Sequence, residues 1–590
     1  MHPTWYRTRL LFDVCRALLL PSTILTLILN TTHTRLGFLT VPSYALFIVT
    51  WAFGKCLIRD TVQAFDAKRL GAVPITRVQG KWPGNVDVLY RMMKAFKTSY
   101  ILDVYLGLFE EYQCTTLNLR IFGVDQIITM DEDHSKFVIA TGFHRFWRGT
   151  YQKERMESFL GNGIFNRDDE MWKMHRGIAR PFLARERISD FELFERHVQH
   201  TLSIISSASS GKLPVEAQDL YARFTLDTAS EFLFGQNLDT LSGTLPTPGK
   251  ASLGLKGSAT HDEFGSFTQA FEACQQIITN RARIGYIWPL FELFGDKTAG
   301  PVKTIGRWLD PHVERAISDK IRMHKAGVQS SVSEKTFLQH LADSTNDPVL
   351  IRDQLLSMLL ASRDTTACLL TFVTYFMALH PEVTQKLRAE VLQHCGPTQA
   401  PTYEAIKSLR YMRAVINETL RLFPPVPLNV RESRAACALP LSDRTFGEPS
   451  GPLYMPGKTN IVYLPLLVQR NTALWGTDAD VFDPERWLDP ARLSIYTSNP
   501  MMYAPFSAGP RVCIGQQYAL NEATYFLVRL LQQYDTFTLV PEAQPEGSLP
   551  PEEWKFRRGR QTVEKIWPSA ALTLYVKGGL WVRYSRSSQS

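Results

Sequence analysis

The chain opens on two apolar runs. Between Leu36 and Gly54 no charged residue occurs; Trp51 stands near the end of the run, and Lys55, Arg59, Lys68 and Arg69 follow it. At about 1.5 Å rise per residue this run nearly spans a bilayer core of about 30 Å. Its basic flank predicts, by the positive-inside rule, that the bulk of the chain lies on the cytoplasmic side. A shorter run, Ala17 to Leu29, is interrupted by Pro21 and preceded by Arg7, Arg9 and Arg16. It fits a signal-peptide core, an interfacial helix or the first arm of a hairpin, and no small-residue cleavage site follows it. Whether the membrane is crossed once or twice stays open. Asn30-Thr31-Thr32, between the runs, is a glycosylation sequon that would suit a lumenal hairpin tip; Asn417-Glu418-Thr419 also matches but falls in a helical pattern.

These patterns divide the chain into a membrane anchor (1–60), a hinge or linker (61–88) and a catalytic body (89–590). The hinge reading rests on Pro74, Pro83 and the three glycines of residues 71–86. Cys114 to Met130 is rich in β-branched residues and reads as a strand pair turned at Gly123. Asp219 to Gly235 has helical periodicity, a Gly/Ser/Thr/Pro-rich loop covers about 237–262, and helical patterns follow at 264–285, 301–326, 349–380 and 381–395. Strand-like stretches succeed them, then a last long helix over Gln516–Gln533. The tail from Ala570 to Tyr584 reads as a hairpin turned at Gly578-Gly579. The fold class expected is mainly α with small β-sheets.

Composition narrows the function classes. Of 590 residues, 45% are hydrophobic and 21% charged, which is globular. A net charge of +8 is modest for this length and suits an anionic membrane surface or an acidic protein partner. No dense Lys/Arg stripe with interleaved aromatics points to nucleic acid. The 8 cysteines form no C-x-x-C pair and no zinc spacing. Seven read as free thiols in a reducing compartment; Cys513 stands apart.

Cys513 lies in Phe506-Ser507-Ala508-Gly509-Pro510-Arg511-Val512-Cys513-Ile514-Gly515, just ahead of a helical pattern. An iron-bound sulfur must be a thiolate, which metal coordination and the positive end of a helix both favour. Gly509 and Gly515 remove side chains where the backbone must turn, N–H groups beyond the cysteine can bond the sulfur, and Arg511 can neutralise a carboxylate. The segment resembles the cytochrome P-450 family, whose pattern F-x-x-G-x-R-x-C-x-G it matches at every specified position; Ala519 matches the small residue that follows. The resemblance covers roughly residues 85–590 and implies the cytochrome P-450 fold behind an N-terminal transmembrane anchor, with haem b (iron protoporphyrin IX) held by Cys513.

Three further segments support it. Glu418 and Arg421 sit one helical turn apart among Leu420, Leu422 and Phe423. An isolated E-x-x-R would read as a surface pair, but the resemblance implies a buried lock closed by Arg486 of Phe482-Asp483-Pro484-Glu485-Arg486-Trp487. Arg431, in a Pro-rich extended stretch, and Trp172 with Arg176, in a W-x-x-x-R match, are implied to hold the haem propionates. Inside the apolar run Leu355–Leu379, Ala361-Ser362-Arg363-Asp364-Thr365-Thr366 resembles the family's A/G-G-x-D/E-T-T/S pattern. A polar cluster there is costly to bury. Read by itself it is a helix kink bonded back to the backbone; read through the resemblance, Thr365 bonds the oxygen being activated and Asp364 relays protons. Ser362 departs from the pattern, which carries glycine; it narrows the groove or adds a hydrogen bond.

The resemblance implies a monooxygenase placing one oxygen atom of O₂ in a lipophilic, terpenoid or fatty-acid-like substrate. No G-x-G-x-x-G opens a βαβ unit, so electrons come from a separate partner; the resemblance implies an NADPH-dependent diflavin reductase, with Lys173 and Arg180 as docking residues. The long N-terminus and the texture around GKWPGN and FDPERW are similar to fungal microsomal members, including fatty-acid and alkane hydroxylases. The expected setting is fungal secondary metabolism on the cytosolic face of the endoplasmic reticulum, as a monomer, with membrane lipid and substrate but no nucleic acid as partners. Residues 140–150, 264–285, 356–366, 424–430 and 571–580 are the substrate-lining segments expected. Two rivals remain: a haem-thiolate isomerase or dehydratase needing no outside electrons, which often lacks the Asp-Thr pair, and a non-catalytic haem binder.

Overall fold

Both apolar runs are helices. The computed structural model describes residues 5–188, 191–249, 263–325, 335–442 and 451–586. Helix α1 (Trp5–Val14) continues through one π-helical turn into α2 (Leu20–Thr31). Pro21 lies just past the π-helical turn, where the irregular stretch of the continuous helix accommodates its missing N–H. A short turn leads to α3 (Thr40–Arg69), which stays helical through the whole basic flank. Among the described residues three helical stretches are long and apolar enough to cross a membrane, but different things cover them. Of the apolar window, 6% is buried in Trp5–Thr31 and 0% in Gly37–Arg69, against 72% in Pro348–Leu379. The first two leave their apolar surface uncovered by protein; the third is a core helix.

The body is built on helices α4 (Thr150–Leu160), α5 (Asp169–Ala179), α6 (Ala217–Phe234), α7 (Glu263–Ile284), α8 (Ala299–Lys325), α9 (Pro348–Leu379), α10 (Pro381–Cys395), α11 (Arg410–Leu422) and α12 (Gln516–Gln533). Helix α9 begins where the Asp347 carboxylate accepts from the backbone N–H groups of Val349 and Leu350, and it stops at His380 before Pro381. It is buried nearly all round and runs through the core, with Tyr221 of α6 bonded to its Thr374 at 2.8 Å. Stacked rings fill the space below it: Phe372 on Phe423 at 4.1 Å and Phe376 on Phe482 at 3.9 Å. As the sequence indicated, α6 ends at Gly235, whose φ of 73° closes it.

Thirteen short strands form four sheets among the described residues. They run from β1 (Val73–Pro74), β2 (Thr116–Asn118), β3 (Gln126–Thr129), β4 (Phe146–Trp147) and β5 (Val215–Glu216) through β6 (Asn429–Ser433), β7 (Cys437–Leu439), β8 (Leu453–Met455) and β9 (Asn460–Tyr463) to β10 (Thr536–Leu539), β11 (Pro568–Ala570), β12 (Leu574–Val576) and β13 (Trp581–Ser585). The largest sheet has the order β2-β3-β9-β6-β4, with β2 and β3 turned at Gly123 as expected. Residues 71–86, expected to hinge, are tied into the body: β1 pairs with β8, and the Val78 N–H donates to Asn118 O at 2.9 Å. The tail corrects its prediction. Strand β12 pairs back to β11, while β13 leaves it to pair with β10 and β5. Gly578 and Gly579 do take positive φ, but they divert the chain between sheets. A Cβ on Gly579 would meet the Glu216 side chain at 2.4 Å, and that side chain accepts the Leu580 N–H at 2.7 Å. Part of the expected loop over 237–262 lies outside the described residues.

The end of α11 is held by one carboxylate. Arg421 donates to both Glu418 oxygens at 2.9 and 2.8 Å, Arg486 to one at 3.3 Å, and the Trp487 indole and Asp483 backbone N–H each at 3.0 Å. Glu418, Arg421 and Arg486 all have 0% exposure. Arg421 also donates to the carbonyls of Gln469, Ala479 and Val481, so α11 is laced to the 469–487 segment. We expect Glu418→Ala to lower folding stability by about 3–5 kcal/mol, because two buried guanidiniums lose their partner. Thermal or denaturant unfolding of the detergent-solubilised protein measures it; a loss below about 1 kcal/mol would mean the arginines re-pair.

Candidate active site

The cysteine loop grows out of this lock. Gln469 is buried behind Arg421, and its Oε1 accepts the Ala504 N–H at 3.2 Å, while the Tyr503 ring packs on Trp487 at 4.6 Å. Beyond Ala504 the chain closes on itself: Ser507 N–H donates to Ala504 O at 3.0 Å, and Cys513 N–H to Phe506 O at 2.9 Å. Ser507 (φ 61°) and Gly509 (φ 66°) turn the loop. Gly509 is irreplaceable on two counts. A Cβ there would sit 2.1 Å from Ile139 O, and L side chains rarely take its φ. At Gly515 the chain's own atoms make no such demand, since a Cβ would meet nothing within 4 Å.

Cys513 lies ahead of α12, whose N-cap is Gly515. Among the described cysteines it is the exposed one; five are buried. Protein packed around the thiol raises its pKa, and the Gly515 N–H and the Arg176 guanidinium pull the other way. Arg176 is fixed there by a 2.9 Å bond to Val512 O. Next to the cysteine, Ile514 packs on the apolar cluster that holds Leu355, Leu356 and Leu359 of α9.

On α9 the polar cluster is held in two ways. Thr365 donates to Ala361 O at 2.7 Å and Ser362 to Met358 O at 2.9 Å, the bonding back to the helix that relieves a buried hydroxyl. Ser362 thus turns its hydroxyl hydrogen to the backbone. Asp364 is buried, with Arg363 3.4 Å away, and Arg363 donates to Glu272 of α7 at 3.0 Å. The pair Asp364 and Thr365 therefore stands at one turn, with the carboxylate inside a charged group that links α9 to α7.

The arginines converge. Trp172 is buried on α5, and Arg511 stacks over its ring at 4.5 Å. Arg511 donates to Asp168 at 2.8 Å, and Lys153 takes the other Asp168 oxygen at 2.9 Å. Arg431, on β6, is buried with only Asn429 Oδ1 (3.1 Å) and Val430 O (2.8 Å) accepting from its Nη1. The antiparallel pairing of β4 with β6 sets Trp147 opposite Glu432, which brings in Arg148, a residue that the sequence reading passed over. Among the described residues its Nη1 reaches Asn429 Oδ1, at 3.4 Å, and its buried Nε meets no partner. Burial, then Arg431 and Arg511, push the Arg148 pKa well below the ordinary arginine value; burial and Arg431 push Arg511 down to about 10. Asp168 is raised by burial, yet the Arg148 N–H, Lys153 and Arg511 leave it lower than usual. The Arg511 guanidinium and the Lys153 ammonium thus share Asp168, which also accepts the Arg148 backbone N–H at 2.8 Å, while the Arg148 and Arg431 guanidiniums donate to neutral oxygens. This surplus of buried positive charge, with unpaired N–H groups, suits a group bringing two carboxylates, as a haem does with its propionates. Arg148 carries no motif; its only sequence signal was a place in the 140–150 segment.

Comparison with known proteins places these features. The sequence model of the family described as Cytochrome P-450 matches residues 88–559. Cytochrome P-450 52E2 of Candida apicola is 34% identical over 472 residues, covering 79% of this chain and 86% of the relative. The cytochrome P-450 monooxygenase alt2 of Alternaria solani is 34% identical over 517 residues, 84% of this chain and 92% of the relative. The cytochrome P-450 monooxygenase himC of Aspergillus japonicus is 36% identical over 505 residues, 84% of each chain.

The arginine cluster makes a prediction with opposite signs. Arg148→Met removes a repelled cation, so the haem-free protein should melt higher. It also removes a carboxylate partner, so the loaded protein should release haem about tenfold faster, as the loss of one charge-assisted bond implies. Melting of the haem-free protein and haem transfer to an excess of apomyoglobin measure the two arms. Equal haem release in variant and parent would take Arg148 out of the site. Gly509→Ala should abolish haem loading altogether.

Proposed function

Because this chain belongs to the cytochrome P-450 family and is one of its haem monooxygenases, we propose that it places one oxygen atom of O₂ in a lipophilic substrate, terpenoid or fatty-acid-like, in fungal secondary metabolism. In this reading residues 1–60 are the anchor, 61–88 the linker and 89–590 the catalytic domain. Cys513 is the iron ligand. Trp172, Arg176, Arg431 and Arg511, joined by Arg148, hold the propionates; Phe506, Gly509 and Gly515 shape the loop; Glu418, Arg421 and Arg486 support it from behind. Electrons come from an NADPH-dependent diflavin reductase in the same membrane, and the body sits on the cytosolic face of the endoplasmic reticulum.

The observation that carries this reading is the cysteine loop. Its sulfur receives the Gly515 N–H and faces the Arg176 charge, an arrangement that favours thiolate over thiol once the sulfur is ligated. Bound haem supplies the redox chemistry, one oxygen atom entering the substrate and the other leaving as water. The chain's residues manage protons and access. Thr365 commits its hydroxyl hydrogen to Ala361 O, so its Oγ1 lone pairs act as acceptor for a water or another O–H. Asp364 Oδ1 lies against Arg363, so it takes and gives protons when that contact loosens. A lipophilic substrate is supported by exposed Leu290, Phe291, Leu293 and Phe294, an apolar edge beside the membrane helices through which it would enter. Residues of α7 within the expected lining, Phe267, Phe271 and Cys274, pack into the core with Leu355, Leu356 and Leu359.

The test is the carbon-monoxide difference spectrum of reduced membranes carrying the wild type or Cys513→Ser. A red-shifted thiolate Soret band in the wild type, absent from the variant, is expected, with substrate oxidation that requires NADPH and reductase. No such band from folded, haem-replete protein would sink the thiolate assignment. Turnover without reductase would move the protein to the isomerase or dehydratase class.

A further inference from the structure

The first helix does more than enter a bilayer. One face of α1 is docked on the catalytic body. Tyr6 is buried, its ring 4.7 Å from that of Trp288 and its hydroxyl donating to Glu292 O at 3.2 Å. Arg9 clasps both oxygens of Glu154, on α4, at 2.8 Å each, with the Tyr286 and Tyr151 rings 4.6 and 5.3 Å from its guanidinium. Arg9 also donates to Asp13 at 3.0 Å, and the Tyr286 hydroxyl donates to Asp13 as well. Residues 6, 9 and 13 are spaced three and four apart and form one stripe. The Arg9 and Glu154 side chains are 10% and 2% exposed, so this is an interior ion pair. The opposite face shows Leu11 and Phe12, 65% and 63% exposed.

The other end of the anchor is fastened to the same body. Asp60 of α3 pairs with Arg77 and Arg120, Gln63 donates to Asp125 at 2.8 Å, and Ala67 is buried against Tyr454. Between these two attachments α2 and α3 lie together, with Thr26 and Tyr44 hydroxyls 2.6 Å apart, and their apolar surface is bare. From Ala17, just past Arg16, to Thr31 the helix rises roughly 22 Å, which reaches across a thin bilayer of about 27 Å when Arg16 snorkels to the interface. Basic residues gather at both bases, Arg7, Arg9 and Arg16 at one and Lys55, Arg59, Lys68 and Arg69 at the other. A chain that leaves a body and returns to it crosses a bilayer an even number of times, and the charge at both bases puts them on the same, cytoplasmic side.

We propose that the anchor is a two-pass helical hairpin whose first arm is latched to the catalytic body by the Arg9–Glu154 pair, so that residues 5–14 share the body's face of the bilayer and residues 32–36 emerge on the other. This rests on the reading of the apolar helices as a membrane anchor, and the test separates the two. In sealed microsomes holding the full-length protein, a tag ahead of residue 1 should be digested by added protease without detergent. An acceptor sequon on a Gly/Ser spacer inserted in the 32–36 turn should be glycosylated. A protected leading tag, or an unglycosylated turn, overturns the hairpin and leaves one pass. Release of the wild type by alkaline carbonate would instead overturn the anchor itself. For the latch, trypsin should cut at Arg16 about threefold faster or more in Arg9→Glu, and the swap Arg9→Glu with Glu154→Arg should restore resistance. Equal cutting of Arg9→Glu and the parent overturns the latch.

Discussion

A single buried carboxylate organises the side of the protein where the chemistry sits. Glu418 has no contact with solvent and receives hydrogen bonds from two arginines, an indole and a backbone N–H. An ion group of this kind adds little net stability over a well-packed apolar one, but its removal leaves charges stranded, so it selects one arrangement over others. That selection is passed on. Arg421 gathers three carbonyls of the 469–487 segment, Gln469 takes hold of Ala504, and the loop from Phe506 to Cys513 closes from there. The thiol's position is thus set from α11, nearly a hundred residues earlier in the chain.

The front of the site follows a different electrostatic logic. Behind the loop the charges are paired; around Arg148, Arg431 and Arg511 burial first, and then the neighbouring arginines, lower the pKa of Arg148 and Arg511. On α9 the sign reverses, as one guanidinium, Arg363, stands between two carboxylates, Asp364 and Glu272. Because Glu272 belongs to α7, a shift of that helix changes the charge next to Asp364. In the proton role proposed for Asp364, proton supply is coupled to the position of α7.

What the sequence disclosed and what it withheld divide along chain distance. The cysteine loop was legible because its demands are local: glycine at 509 answers a carbonyl and a positive φ, and cysteine precedes a helix. The long helices were legible from periodicity and from stops such as Gly235 and Pro381. Arg148 was not, because it reaches the site through the pairing of β4 with β6, which is nearly three hundred residues away. The tail was misread for a related reason. Paired glycines signal a reversal, but the Glu216 side chain, far upstream, takes the Leu580 N–H where the chain crosses, and β13 pairs with β10 and β5 instead. The docking of α1 was equally hidden, since Tyr6, Arg9 and Asp13 look like an ordinary basic flank until Glu154 and Tyr286 are in place.

The contact between Arg9 and Glu154 spans 145 positions of chain. During synthesis at about 5–20 residues per second, the arginine leaves the ribosome roughly 7–30 s before its partner exists. Glu292 and Tyr286, which complete the seat, come later still. Through that interval the helix that carries Arg9 has no body to rest on, and its charge must be kept at the water boundary by the insertion machinery or by lipid headgroups. Docking of the first helix is thus a late step of biogenesis, and a nascent chain stalled before residue 292 would expose a segment that the finished protein hides.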